Sequence, residues 1–146
     1  MRVLIVEDEA VIRVLAESLL QDAGYETLSA STLAEAQALI QSDQKFEVVF
    51  TDINLTDGLE GGLQVGQLIR QAREGTPVLY ASGKPLTDGM QELFVEPHEF
   101  LAKPYTNNQI IDALERLLRQ GGRPRPPQTL RAAQARSQPA DLRPGD

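Results

Sequence analysis

The strongest constraint on this chain is an alternation, repeated five times, of a short apolar run with a longer amphipathic segment. Val3-Leu4-Ile5-Val6 is a continuous apolar run, as in a strand buried on both faces. After it, Ile12, Ala16, Leu19, Leu20 and Ala23 recur at helical spacing, with Arg13, Glu17 and Gln21 opposite and Gly24 as a stop. Tyr25 to Ala30 reads as a second strand. Thr32 and Glu35 then form a capping box that opens a helix carrying Ala36, Leu39 and Ile40 inward. Val48-Val49-Phe50-Thr51 is a third strand ending at Asp52. Asn54 to Gly62, with three glycines and two acidic residues, reads as a loop. A helix through Val65, Leu68 and Ile69 follows, to about Arg73. Pro77 to Ala81 is a fourth strand, with Ser82-Gly83 at its end, and a weakly patterned helix is expected over 86–94. Phe100-Leu101-Ala102 is the fifth strand, closed by Lys103-Pro104. A second capping box, Thr106 with Gln109, opens a helix with Ile110, Leu114, Leu117 and Leu118 on one face, ended by Gly121-Gly122.

Five strands separated by five helices require parallel pairing through right-handed crossovers. The expected fold is α/β: a flavodoxin-like, doubly wound, five-stranded parallel sheet in the order 2-1-3-4-5. Its functional crevice lies beyond the carboxyl ends of the strands.

Charge divides the chain. Residues 1–118 carry −11 and residues 119–146 carry +4, within a total of −7. An acidic body of this kind is a poor nucleic-acid binder. The expected organisation is one folded domain over 1–120 and a flexible Arg/Pro-rich tail over 121–146, whose Arg123-Pro124-Arg125-Pro126-Pro127 cannot continue a helix. That tail shows no helix-turn-helix pattern, so no DNA partner is expected. The chain has no cysteine, which excludes thiolate metal sites and cysteine nucleophiles, and its one histidine, His98, is read as an exposed loop residue. No apolar run is long enough to span a bilayer and no signal-peptide core is present, so no membrane partner and a cytoplasmic location are expected.

Four of the five strands end in chemically useful side chains: Glu7-Asp8-Glu9, Asp52, Ser82 and Lys103. In the 2-1-3-4-5 order these converge on one rim. Clustered carboxylates repel unless a cation joins them, and hard oxygen donors with open positions suit Mg²⁺. A carboxylate can act as a nucleophile and form an acyl phosphate. A lysine supplies compact positive charge, and a hydroxyl can donate to a phosphoryl oxygen. Each residue also has a plainer role: Glu9 favours a helix N-terminus, Ser82 could cap the next helix and Phe100 could be an ordinary core aromatic.

The acidic pair after the first strand, the lone Asp after the third, the hydroxyl after the fourth and the Lys-Pro after the fifth resemble the receiver domain of bacterial two-component response regulators. The resemblance covers residues 1 to about 120. It implies that Asp52 accepts a phosphoryl group from a phosphohistidine on a sensor histidine kinase or a histidine phosphotransfer protein. It implies Mg²⁺ held by Asp8, Asp52 and the backbone carbonyl of Asn54, with Glu7 acting through water. Lys103 pairs first with the carboxylate and then with the phosphate, Ser82 moves toward the phosphate, and Phe100 turns inward behind it. A cis peptide is usual at Lys103-Pro104. The chain departs from the family in a loop about two residues longer after Asp52, in Thr56 where proline is common, and in Gly83-Lys84-Pro85 after the switch hydroxyl. Asn54 and Lys84 flank the path to the phosphate and are expected to tune hydrolysis.

The leading expectation is a single-domain response regulator in a phosphorelay. It would not be an enzyme on a separate substrate, because it catalyses only its own phosphorylation and dephosphorylation. Output would pass to a downstream protein target, or through a homodimer, by the face near the fourth and fifth helices. A phosphorylation-independent adaptor with the same fold is the alternative. An aspartate-based phosphatase of the haloacid dehalogenase type is disfavoured by Asn54, where that chemistry wants an acid.

Overall fold

The structure, a computed structural model, describes residues 1–55 and 61–120. Thr56, the central part of the loop after Asp52, the Gly121-Gly122 stop and the Arg/Pro tail fall outside the described residues.

The strands are β1 (Arg2–Val6), β2 (Glu26–Ala30), β3 (Val48–Asp52), β4 (Val78–Ser82) and β5 (His98–Ala102). The helices are α1 (Ala10–Asp22), α2 (Leu33–Ile40), α3 (Gly61–Ala72), α4 (Asp88–Glu92) and α5 (Asn107–Gln120). The strands form one parallel sheet in the order β2-β1-β3-β4-β5. The flavodoxin-like arrangement expected from the alternation is the one found.

The continuous apolar runs are explained by two-sided burial. Leu4, Val6, Val49, Val78 and Tyr80 join Ala36, Ile40, Leu63, Val65 and Ile69 in a core under α2 and α3. The residues between them, Val3, Ile5, Val48, Phe50, Leu79 and Ala81, join Ala16, Leu20, Ile110, Leu114 and Leu117 in a second core under α1 and α5. Successive residues of the apolar runs in β1, β3 and β4 thus feed opposite layers, and none of them is left for solvent.

The caps follow the sequence. Thr32 Oγ1 accepts from Glu35 N–H, and Glu35 reaches back to Ser31. Thr106 and Gln109 cap each other reciprocally. Gly24 ends α1 with φ +98°.

Four local expectations are corrected. α3 starts at Gly61, inside the stretch read as loop. α4 is confined to Asp88–Glu92 and is capped by Thr87, not Ser82. Ala23 is exposed beyond the end of α1 rather than packed inward. β5 begins at His98, two residues early, because Val78 pairs with His98 across the sheet. His98 is therefore a half-buried strand residue, not an exposed loop residue. Its ring lies 5.0 Å from Phe94, and its Nδ1 is 3.0 Å from Glu96 Oε2. The peptide Lys103-Pro104 is cis as expected, and Glu96-Pro97 is cis as well.

Two contacts fix the β3 end where the site forms. Ile53 N–H donates to Ala81 O at 2.9 Å, and Gly62 N–H donates to Ile53 O at 2.9 Å. The first turn of α3 therefore lies directly on the β3 backbone. A Cβ at Gly62 would strike Asp52 O and approach Ile53 Cα to 2.6 Å, so glycine is required by close approach rather than by turn geometry. Further along α3, Gly66 leaves room for the Tyr80 hydroxyl, which accepts from the buried Val95 N–H at 3.1 Å.

Gly62→Ala should lower unfolding free energy by about 3 kcal/mol, measured by urea denaturation, since backbone cannot yield as a side chain does. Burial pushes the Tyr80 hydroxyl up to about 12 from 10. A raised folded-state pKa means stability that is full below the unfolded value and lost as pH rises through the folded one. Stability should thus fall by about 2–3 kcal/mol between pH 10 and 12 on this account. Tyr80→Phe should flatten that fall in urea titrations across the window. At neutral pH it should cost ~1–3 kcal/mol for the orphaned Val95 N–H.

Candidate functional site

Parallel pairing carries the ends of β1, β3, β4 and β5 to one rim. β1 delivers Glu7 and Asp8, held by the bond from Glu7 N–H to Ala30 O and by Arg13 Nη1, which donates to Glu7 O at 2.9 Å. β3 delivers Asp52 as its last residue, and Asn54 N–H donates to Asp52 Oδ1 at 3.3 Å. β4 delivers Ser82. β5 is followed by Lys103, whose N–H donates to Ser82 O at 2.9 Å.

The side chains meet. Lys103 Nζ lies 3.2 Å from Asp52 Oδ2 and 3.6 Å from Glu7 Oε1. Glu7, Asp8 and Asp52 each present a carboxylate oxygen, and these oxygens lie within 4.8 Å of one another. Burial raises the Glu7 carboxyl above its ordinary value, and the charge of Asp52 and a hydrogen bond with Asp8 push the same way. The Glu9 N–H and the Lys103 ammonium oppose the rise without cancelling it. Burial also works against the Lys103 ammonium, but Asp52 and Glu7 outweigh it and hold its pKa above the ordinary value. One cation thus faces three clustered acids, which leaves room for a second positive charge. The donor set is all hard oxygen, and a small divalent cation such as Mg²⁺ fits it.

Each residue that the sequence singled out lies where the strand ends require. Asp8 and Asp52 are half-buried at the cluster. Glu7, expected to act on the metal through water, is 6% exposed and shares Lys103 with Asp52. Ser82 is buried and its hydroxyl donates to Asn54 Oδ1 at 3.0 Å. Phe100 is half-buried, with its ring stacked 6.3 Å from Phe94 and packed against the α2–α3 core. Glu9 makes no side-chain cap, and its backbone N–H instead binds Glu7 Oε2.

Three features escape the sequence reading. The Asn54 side chain, expected to flank the path to the phosphate, also accepts the hydrogen bond of the Ser82 hydroxyl. Tyr105, whose hydroxyl burial pushes up, sits edge-on to Phe50 and feels the charges of Lys103, Glu7 and Asp52. Beside the rim, α1 exposes Val11, Val14 and Leu15, at 72%, 53% and 64%. Their i, i+3, i+4 spacing was the available signal, hidden because the inward face of α1 already accounted for the helical pattern.

Fold and rim define a doubly wound α/β domain with a lysine-bridged carboxylate cluster at its switch point. Residues 3–115 match the response regulator receiver domain family. The chain belongs to that family, the receiver domain of response regulators in two-component signalling. It is 30% identical over 143 residues to the transcriptional regulatory protein TcrA of Mycobacterium tuberculosis, covering 97% of this chain and 55% of TcrA. Among solved structures, a response regulator receiver protein from Sinorhizobium medicae superposes with a TM-score of 0.74 at 29% identity, covering 82% of this chain and 94% of that one. Chemotaxis response regulator CheY4 of Vibrio cholerae superposes with a TM-score of 0.69 at 28% identity, covering 80% and 97%. The chain spans about half the length of the first curated relatives it matches. Among the described residues, no helix is long and apolar enough to cross a membrane.

Mg²⁺ should bind the rim and raise the melting temperature, by the linkage of a ligand held only in the folded state. Asp8→Asn should weaken Mg²⁺ binding at least ~10-fold in isothermal titration, because it removes a charged oxygen donor from a small set.

Proposed function

We propose that this chain is a phosphoacceptor switch in which Asp52 takes a phosphoryl group from the phosphohistidine of a sensor histidine kinase or histidine phosphotransfer protein. The single observation that carries the reading is Lys103 Nζ at 3.2 Å from Asp52 Oδ2, beside the Glu7 and Asp8 carboxyls. An Asp52 oxygen attacks phosphorus in line. The P–N bond to the donor imidazole breaks, its electron pair goes to the ring nitrogen, and an acyl phosphate remains. Transfer of this kind needs positioning and charge neutralisation more than covalent help.

Lys103 shifts from the carboxylate to the new phosphoryl oxygens without leaving the rim, and the Ser82 hydroxyl donates to another. Asp8, Asp52 and the Asn54 backbone carbonyl are the residues that would hold Mg²⁺, with Glu7 through water. When bound, the ion neutralises charge on the phosphoryl oxygens. Water attack on the same phosphorus reverses the modification. On this reading the protein has no separate substrate, and the chemistry it catalyses is its own phosphorylation and dephosphorylation.

Output passes by protein–protein contact, to a downstream protein target or a second copy, through the face near α4 and α5. Phe100 lies on β5, paired with Tyr80 across the sheet. The reading that residues 1–118 do not themselves bind DNA rests on their acidic charge of −11.

Incubation with acetyl phosphate and Mg²⁺ should add the mass of one phosphoryl group, lost on hydroxylamine treatment, and chelation should prevent it. Asp52→Asn should abolish the adduct, and Lys103→Ala should slow its formation ~100-fold, as loss of a charge-stabilising group does. Labelling that survives Asp52→Asn would overturn the assignment.

A further inference from the structure

Within the phosphoacceptor reading, on which this inference rests, the hydrogen bonding of Ser82 has a consequence of its own. A serine hydroxyl has one proton to give. Here that proton goes to Asn54 Oδ1, at 3.0 Å. Ser82 Oγ in turn accepts from Lys84 N–H, at 3.0 Å. Ser82 is 2% exposed, so water does not compete freely for either bond. In this state the hydroxyl is committed on both sides, and a phosphoryl oxygen on Asp52 can receive its proton only if Asn54 loses it.

Asn54 is also tied to the acceptor carboxylate, since its N–H donates to Asp52 Oδ1 at 3.3 Å. One residue thus holds the reacting carboxylate by its main chain and the switch hydroxyl by its side chain. We propose that the Asn54 side chain is a latch: it holds the Ser82 hydroxyl in the unmodified state and sets how much of the phosphoryl group's binding energy is spent on releasing it. A charged phosphoryl oxygen is the stronger acceptor and wins the proton. The switch equilibrium is nevertheless lowered by the bond that must break. Asn54 is in this sense a positioning residue, acting through Ser82.

The latch is separable from a direct effect of residue 54 on the phosphate. Beryllium fluoride with Mg²⁺ serves as the phosphoryl probe. Asn54→Ala, and Asn54→Leu, which keeps the shape without the acceptor, should each bind it about three- to tenfold more tightly, the scale of one intramolecular hydrogen bond. In a Ser82→Ala background the same substitutions should leave that affinity unchanged, because no hydroxyl remains to be released. In the unmodified protein without Mg²⁺, both variants should speed Lys84 amide hydrogen exchange several-fold, since the Ser82 oxygen that accepts from it is no longer fixed.

Equal gains with and without the Ser82 hydroxyl, or no gain in either background, would overturn the latch. Failure of the wild-type protein to bind the probe at all would instead sink the phosphoacceptor reading. An unchanged Lys84 exchange rate in both variants would refute the latch independently of the probe, because Asn54 would then not be holding the Ser82 hydroxyl.

Discussion

Everything at the site depends on the five strands running in the same direction. Parallel pairing sends every carboxyl end to one edge of the sheet, so residues at positions 7, 52, 82 and 103 become neighbours with no long-range sequence pattern of their own. The two cores hold the pairing, because the apolar residues of β1, β3 and β4 are claimed alternately by one helical layer or the other. An antiparallel arrangement of the same strands would scatter these groups between the two ends of the sheet. The crevice is therefore a product of topology first and of side-chain chemistry second.

The electrostatics of the rim follow from crowding. Two of the three clustered acids, Glu7 and Asp52, share Lys103, and the balance is kept by burial, which makes the Glu7 carboxyl reluctant to ionise, and by main-chain donors at Glu9 and Asn54. On the proposed reading, a group carrying new negative charge would enter where a cation is already placed and where a second cation is favoured. Lys103 would then need no large movement to serve both states, because its nitrogen lies within 3.6 Å of both Glu7 and Asp52. The hydroxyl side of the pocket is built differently. It is neutral, buried and hydrogen-bonded in series through Lys84, Ser82 and Asn54.

Much of this was legible in the sequence, and for a physical reason. Apolar runs with no solvent-facing residue demand two covering layers, and that demand dictates parallel strands. The residue closing each run is then a rim residue by construction, which is why Asp52, Ser82 and Lys103 could be read directly. What the sequence hid depends on direction and distance. Nothing in a string of letters says that the Asn54 side chain turns toward β4, or that Glu7 sits as close to Lys103 as it does. Gly61-Gly62 reads as loop because glycine disfavours helix, yet close approach to the β3 backbone requires glycine at position 62. His98 follows a proline and looks like loop, but pairing with Val78 and contact with Phe94 draw it into the sheet.

The two main-chain bonds that clamp Ile53, one to β4 and one from α3, anchor both sides of the connection that leaves the rim. Closing a longer span between fixed ends adds only slowly to the entropic cost, so residues inserted beyond Leu55 and before Gly61 need not disturb the reactive carboxylate. That arrangement separates two kinds of change. Evolution or an engineer can vary the length and lettering of this connection while the pocket itself stays in register.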